Sequence, residues 1–449
     1  MANVTPQPDW RDLRDRFQRR EGLIGIIGLG YVGLPLALTF CRSGWRVLGF
    51  DVDPAKVDRL RMGQSYISYI ASERLQTLRA QDLFDATTDM SRLADVDAIL
   101  ICVPTPLTKH RDPDLSFIVN TTEAIQPYLK PGHLVVLEST TYPGTTTDVM
   151  RPILERCGLK SDGNFFLAYS PQRQDPGIRD FATSSIPKIV GGDGAAACAL
   201  ALALYATAVI EVVAVSSLAT AEAVKLTENI FRAVNIALVN ELKVVYDRMG
   251  IDVWEVIEAA KTKPFGYMPF YPGPGLGGHC VPIDPFYLSW KAREYGVSAR
   301  FIELAGEINT AMPAYVVNRL TAAFNSRFAR PLNGARILVV GVAYKKNVED
   351  TRESPAFKLI AMLKAEQARV DYYDPYVPVI PMTRAHPELY AGRSIAFTPE
   401  TLATYDAALI CTDHDNVDYR ALVRHSKLVV DTRNATKAVV EGRAKIVKA

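Results

Sequence analysis

The residues of this chain best suited to chemistry begin with a lone thiol. Residues 271–285 read YPGPGLGGHCVPIDP, with two prolines and four glycines ahead of Cys280. Such a backbone is neither helix nor the interior of a paired strand. It is a loop that presents one sulfur, with the Asp284 carboxylate four residues on. Glycines beside a Cys let other groups approach it closely, as a covalent intermediate requires. A Pro/Gly-rich connector with an incidental buried Cys would read the same way, and the loop alone does not separate the two.

A second feature is the turn Gly28-Leu29-Gly30-Tyr31-Val32-Gly33. It follows an apolar strand pattern at 23–27 and precedes a helical pattern at 34–41; a further strand, 46–50, ends at Asp51. Gly28 permits the tight turn, Gly30 lets a pyrophosphate approach the backbone, and Gly33 lets helix and strand pack closely. The phosphates would sit on the helix N-terminus, where free N–H groups and the dipole favour anions. Asp51 would accept hydrogen bonds from the adenosine ribose, and a carboxylate there repels a 2′-phosphate, so the expected cofactor is NAD. The competing reading is a glycine-rich turn with a surface Asp.

Lys225 and Asn229 stand four apart in a long apolar helical pattern, 216–250, and so share a face. A lysine in an apolar groove needs a partner or a function, unless it snorkels to the surface. Polar loops follow three strand patterns: Pro104-Thr105-Pro106 after 98–103, Ser139–Thr146 after 133–138, and SPQRQDPG from Ser170 after 165–169. The carboxyl ends of strands are where open α/β sheets bind ligands. Ser139, Thr140 and Thr141 could instead cap a helix.

Positioning these groups takes more than one core, and 449 residues predict two or three domains. Residues 1–22 read as a charged extension, 23–215 as a dinucleotide-binding doubly wound (Rossmann-like) α/β domain, and 216–330 as an all-helical centre. Within that centre, 253–261 and 298–324 are further helical patterns, the second interrupted by Pro313. Strand and helix then alternate again over 331–449, in outline a diverged repeat of the first domain. Here G341-V-A343-Y-K345 has lost the glycine fingerprint, and Lys345, Lys346 and Arg352 suit phosphate by side chains. His414 reads as a loop histidine.

Composition excludes several classes. Hydrophobic content of 48% with 22% charged residues is that of a soluble globular protein. Lys+Arg 51 against Asp+Glu 49 leaves no bulk attraction for nucleic acid or an anionic membrane, and no apolar run is long enough to span one. Residues 1–22 carry Asp9, Asp12, Asp15 and Glu21 among arginines, which fits neither a secretory signal nor a transit peptide. Six dispersed cysteines without a CxxC pair suit the reducing cytoplasm and, with six scattered histidines, predict no metal.

Taken together, GLGYVG, CVPTP, ESTTYPG, the K-x-x-x-N helix, GGHCVPIDP and VAYKKNVEDTRESP resemble the UDP-glucose/GDP-mannose dehydrogenase family over nearly the whole chain. The form PGPGLGGHCVPIDPFYLSWKA is most similar to the branch acting on UDP-N-acetylhexosamines, UDP-N-acetylglucosamine above all. The resemblance implies a four-electron oxidation of the sugar C6 alcohol to a carboxylate with NAD, supplying surface-polysaccharide precursors; separately, a helical centre between two domains suits a homodimer or higher homo-oligomer. It implies that Cys280 captures the C6 aldehyde as a thiohemiacetal that becomes a thioester. Lys225, with Asn229, would stabilise the C6 oxyanion, and Asp284 and Thr140 would orient water. His279 is not needed as a base, since adjacent side chains in an extended loop point apart. Gly28, Gly30, Tyr31, Val32, Gly33, Asp51, Pro104, Thr105, Thr140 and Arg352 would meet the cofactor. Tyr169, Arg173, Lys225, Asn229, Tyr271, Gly277 and Lys345 would meet the UDP-sugar.

One residue departs from the family pattern. The third position of S-P-x-R-x-D-P-G, normally Glu and expected to help hydrolyse the thioester, is Gln172. An amide positions water but does not accept its proton at neutral pH. Three explanations stand: Asp284 or Asp175 takes over, hydrolysis is naturally slow, or the residue has been substituted. The expectation is that hydride transfer survives and acid release is impaired. The alternatives are a UDP-glucose or other nucleotide-sugar dehydrogenase, a two-electron 3-hydroxy acid dehydrogenase, which leaves Cys280 and the last domain unexplained, and a non-catalytic NAD sensor.

Overall fold

The computed structural model describes residues 9–67, 69–108, 112–173, 183–278, 281–383 and 386–449. It divides into two compact units, Met1–Glu228 with Phe286–Val297, and Asn229–Pro285 with Ser298–Ala449.

The first unit is built on eight strands: β1 (Leu23–Ile27), β2 (Arg46–Phe50), β3 (Phe84–Thr87), β4 (Ala98–Ile101), β5 (Leu134–Leu137), β6 (Phe166–Tyr169), β7 (Lys188–Gly192) and β8 (Val212–Ala214). Their order is β3-β2-β1-β4-β5-β6-β7-β8. Every pairing is parallel except β6 with β7. Strands buried on both faces need apolar side chains at consecutive positions. Accordingly Ile24 and Ile26 join one core, while Ile27, Ile99 and Ile101 join the other. The order reverses between β1 and β4, the point at which such sheets bind dinucleotides. The expected doubly wound architecture is present.

The second unit holds five parallel strands, β9 (Arg336–Val340), β10 (Arg369–Tyr373), β11 (Ala407–Ile410), β12 (Val429–Asp431) and β13 (Ile446–Lys448), ordered β10-β9-β11-β12-β13. The long helix Leu218–Met249 runs for 32 residues, and its course passes from the first unit into the second. Among the described residues, no helix is long and apolar enough to cross a membrane.

Three sequence expectations need correction. Pro313 does not interrupt its helix: Arg300–Phe328 is continuous through it. A proline inside a helix costs about 3 kcal/mol, but here Met312, Pro313, Val316 and Val317 are all buried, and Lys358 Nζ donates to the Thr310 carbonyl at 3.3 Å within the disturbed turn. Asp284 and Pro285 belong not to a loop but to the first turn of the helix Asp284–Glu294. Proline is well suited there, where its missing N–H would have no helical partner. Ser139 and Thr141 cap no helix. Ser139 Oγ donates to the Val103 carbonyl at 2.7 Å, and Thr141 Oγ1 lies 2.5 Å from Thr145 Oγ1, tying strand ends and loop together.

Candidate active site

The glycine-rich turn has the geometry its sequence demands. Gly28 has φ 90°, and a Cβ there would meet the Cys102 carbonyl at 2.8 Å. A Cβ on Gly33, the first residue of the helix Gly33–Arg42, would lie 1.9 Å from the Gly28 carbonyl oxygen. Both glycines are therefore required by the fold. Gly30 differs: nothing lies within 4 Å of where its Cβ would be, so packing does not explain it. Open space over a helix start without a side-chain cap or a first-turn acid fits a diphosphate. Asp51, 8% exposed, accepts from Leu29 N–H at 2.9 Å and Asp53 N–H at 3.0 Å, with Lys56 Nζ 3.5 Å away. Two amide bonds leave carboxylate lone pairs for ribose hydroxyls. The residues present thus fit NAD. Tyr31 and Val32 are half-buried, Pro104 is exposed and Thr105 is buried in the loop beyond β4. That loop is tied to the helix Asp284–Glu294 by Tyr287 Oη donating to the Pro106 carbonyl at 3.3 Å.

On the same unit, Lys225 is buried at 8% exposure, which excludes the snorkelling surface lysine. Half-buried Thr140 opens the loop after β5. The far side of that loop is gripped by Glu222, a residue the sequence reading passed over. Its carboxylate accepts from Gly144 N–H at 2.6 Å, Thr146 N–H at 2.9 Å and Thr146 Oγ1–H at 2.6 Å. Burial pushes Glu222 up to about 7, against the pull of those hydrogen bonds.

The loop after β6 is anchored by a second group the sequence reading did not single out. Lys188 pairs with Glu138 deep in the core, and Tyr205 Oη donates to the same carboxylate. The lysine also donates to the carbonyls of Ser170, at 3.3 Å, and Pro171, at 3.2 Å, immediately before Gln172. Gln172 Oε1 accepts from Arg173 N–H at 3.2 Å, while its buried Nε2 has no hydrogen-bond partner among the described residues. Arg173 bridges Glu228, with Nε–Oε1 2.9 Å, and the Pro187 carbonyl at 2.7 Å. Tyr169 is fully buried at the end of β6. Asp175 lies outside the described residues.

In the second unit, Asn229 and Asp284 come together from 55 positions apart: Asn229 Nδ2 donates to Asp284 Oδ2 at 2.6 Å, with the residues 1% and 2% exposed. Cys280 and His279 lie outside the described residues; the chain ahead of them is held by two hydrogen bonds. Gly273 N–H donates to Asn240 Oδ1 at 3.0 Å, and Gly278 N–H to the Arg352 carbonyl at 3.0 Å. A Cβ on Gly277 would lie 2.7 Å from Tyr344 Cβ, so the loop at 271–278 packs closely on the cationic loop after β9. Half-buried Lys345 stands in that cationic loop; Arg352 is exposed and chelates Asp350. Tyr271 stacks on Trp254, centroids 5.7 Å apart, and its hydroxyl donates to Glu258 at 2.7 Å.

Two further residues emerge from the structure. Arg433 Nε donates to the Cys411 carbonyl at 2.9 Å, and its Nη1 would be 2.3 Å from a Cβ on Gly273, so glycine is needed where the guanidinium meets the loop. His414 is fully buried. Its Nδ1 accepts from Asn347 N–H at 2.9 Å and its Nε2 donates to Asp374 at 3.0 Å, latching the loop of Lys345 to the end of β10.

Comparison with known proteins agrees with this arrangement. Profiles of the UDP-glucose/GDP-mannose dehydrogenase family match residues 22–209 as its NAD binding domain, 219–311 as its central domain and 338–438 as its UDP binding domain. The chain is 38% identical over 361 residues to a UDP-N-acetyl-D-glucosamine 6-dehydrogenase of Pseudomonas aeruginosa, covering 79% of this chain and 83% of the relative. It is 34% identical to a UDP-N-acetyl-D-mannosamine dehydrogenase of Pyrococcus horikoshii, covering 92% and 96%. The solved structure of a UDP-D-ManNAc dehydrogenase from Pyrococcus horikoshii superposes with a TM-score of 0.84 at 32% identity, over 95% of this chain and 98% of that one. With all three family domains matched along the chain, it belongs to the UDP-glucose/GDP-mannose dehydrogenase family and is an NAD-dependent nucleotide-sugar oxidoreductase.

Proposed function

We propose that this chain oxidises the C6 alcohol of a UDP-N-acetylhexosamine, UDP-N-acetylglucosamine first, to the uronic acid through a thioester on Cys280. The observation that carries the chemistry is the buried Asn229–Asp284 pair, which sets an amide and a carboxylate one helix start away from the thiol loop. Gly28, Gly30, Tyr31, Val32, Gly33, Asp51, Pro104, Thr105, Thr140 and Arg352 would hold NAD, which would supply the hydride acceptor for both two-electron oxidations, alcohol to aldehyde and thiohemiacetal to thioester. The Cys280 thiolate adds to the C6 aldehyde, forming a C–S bond while Lys225 and Asn229 stabilise the oxygen that gains the electron pair. Loss of hydride from that carbon restores the carbonyl as a thioester. Water, oriented by Thr140 and Asp284, then breaks the C–S bond and releases carboxylate and thiol. Gln172 does not accept a proton in that last step, so hydrolysis is slow. Tyr169, Arg173, Tyr271, Gly277 and Lys345 hold the nucleotide sugar.

The substrate assignment follows the Pseudomonas relative, and the wider coverage of the Pyrococcus one favours UDP-N-acetylmannosamine as the second reading. Residues 23–215, 216–330 and 331–449 would be the NAD-binding, central and UDP-sugar-binding domains. Phe231, Leu238 and Val245, 50%, 49% and 44% exposed at seven-residue intervals along the long helix, support a homodimer through that face. The site of action is cytoplasmic, where NAD is at hand, and the product feeds surface-polysaccharide synthesis. The test is kcat/KM with NAD for UDP-N-acetylglucosamine, UDP-N-acetylmannosamine, UDP-N-acetylgalactosamine and UDP-glucose. The N-acetylated gluco or manno substrate should lead by at least about tenfold, with two NADH per sugar; a lead by UDP-glucose, or one NADH per sugar, would overturn the assignment.

A further inference from the structure

Glu222 has no part in the chemistry above, yet its carboxylate accepts three hydrogen bonds. It is fully buried on the long helix, one turn before Lys225. Both its oxygens are used, Oε2 by Gly144 N–H at 2.6 Å and Oε1 by the N–H and hydroxyl of Thr146 at 2.9 and 2.6 Å. The segment it holds is unusual backbone. Gly144 has φ 101°, and Thr145–Met150 is a π-helical turn whose leading N–H groups have no helical acceptor. A buried N–H without an acceptor costs about 1–3 kcal/mol, so the wide turn depends on this carboxylate. The same loop includes Thr140, just beyond the end of β5 at Leu137.

We propose that Glu222 is a positioning residue, whose carboxylate clamps the Gly144–Thr146 turn to the long helix and thereby fixes Thr140 relative to Lys225. The inference rests on the reading of Lys225 and Thr140 as groups acting at C6. A carboxylate is the form the geometry suits: three donors converge on it, and a proton on Oε2 would face the Gly144 N–H and release it, while the Thr146 hydroxyl can turn to accept one on Oε1. Burial that raises the group to about 7 brings this loosening into the working range, so the clamp holds above neutrality and slackens below it. The charged groups around it are Asp148 on the π turn, Lys291 of the helix Asp284–Glu294, whose Cε would be 4.0 Å from a Cβ on Gly144, and Lys225 on its own helix. Tyr142, on the same loop, lies under the Lys291 ammonium.

The experiment is steady-state kinetics of the full-length enzyme against pH for Glu222→Gln, Thr146→Val, Thr146→Ser and Lys225→Ala. Glu222→Gln imitates the protonated state at every pH. It should lower kcat about tenfold at pH 8 with both KM values within about threefold, and abolish the acid limb expected of the wild type near pH 7. Thr146→Val, which removes one donor and leaves the carboxylate, should lower kcat several-fold, and Thr146→Ser should restore it. If Glu222→Gln does not fold, the Val/Ser pair decides. A crippled Lys225→Ala beside wild-type kcat and pH profile in Glu222→Gln, or equal Thr146→Val and Thr146→Ser, would overturn the clamp alone. Normal kcat in Lys225→Ala would overturn the reading of the helix face, and the clamp with it.

Discussion

The two sheets of this protein begin with the same device and fill it in opposite ways. In each, a first strand ends at a glycine with positive φ, Gly28 at 90° and Gly341 at 84°, and a second strand ends at an aspartate, Asp51 or Asp374. In the first sheet, Asp51 accepts two loop N–H groups and Gly30 faces open space. In the second, Asp374 accepts from Val342 N–H at 2.7 Å, Ala343 N–H at 2.9 Å, Tyr376 N–H at 2.8 Å, Val377 N–H at 3.2 Å and His414 at 3.0 Å. The Gly30 counterpart, Ala343, is fully buried, its carbonyl accepting from Thr412 Oγ1 at 2.6 Å. Where acceptors are left over and the backbone is bare, a dinucleotide is recognised. Where both are filled, the backbone offers an anion little, and in the reading proposed above that task falls to side chains such as Lys345.

Substitutions can break this comparison, and the largest effect belongs to Gly33. Gly33→Ala places a Cβ against the Gly28 carbonyl, so NAD affinity should fall by about 100-fold while UDP binding, read by calorimetry, persists. Loss of UDP binding alone would contradict the division of labour. Next comes Asp374→Asn. It leaves several buried N–H groups and His414 short of an acceptor, and should cost about 2–4 kcal/mol of stability in denaturant titration, without changing NAD affinity. The pH dependence has a definite sign. Burial alone would raise the Asp374 carboxyl, but the hydrogen bonds it accepts from His414 and from backbone N–H groups outweigh it and hold it below the usual carboxylate range. Its stabilisation is therefore complete above the unfolded carboxylate value of about 4 and lost as pH falls through the lower folded value; Asp374→Asn should flatten the acid limb of Tm against pH.

Lys345→Ala should weaken UDP-sugar binding roughly tenfold and leave NAD binding as it was. The smallest effect on folding belongs to Gly30→Ala. With nothing near its Cβ, it should shift Tm by no more than about 2 °C while raising the Kd for NAD several-fold. A large fall in Tm would show that Gly30 serves packing.

Much of this was legible because it is local. Strand, glycine and aspartate fall within a few dozen residues in each sheet, and Lys225 and Asn229 share a helix face whatever surrounds them. Contacts that join distant segments were not legible. Nothing in the sequence pairs Asn229 with Asp284, or Glu222 with Gly144, although an acid in an apolar helical repeat was a signal for Glu222. Asp284-Pro285 carried a helix-start signature that the preceding glycines and prolines obscured. His414 is indeed a loop histidine, but its burial between Asp374 and Asn347 depends on strand order, which periodicity does not give. Pro313 was read as a break because sequence rules count its lost hydrogen bond and not the packing that offsets it.

The central claim is that two hydride transfers outrun a hydrolysis step in which Gln172 stands where a proton acceptor is wanted. It is tested most directly by rapid-quench measurement of NADH per active site with UDP-N-acetylglucosamine, followed by intact mass of the quenched enzyme. The account predicts a burst of about two NADH per site and a sugar-nucleotide adduct that is absent from Cys280→Ala. Steady turnover with no burst and no adduct would contradict it.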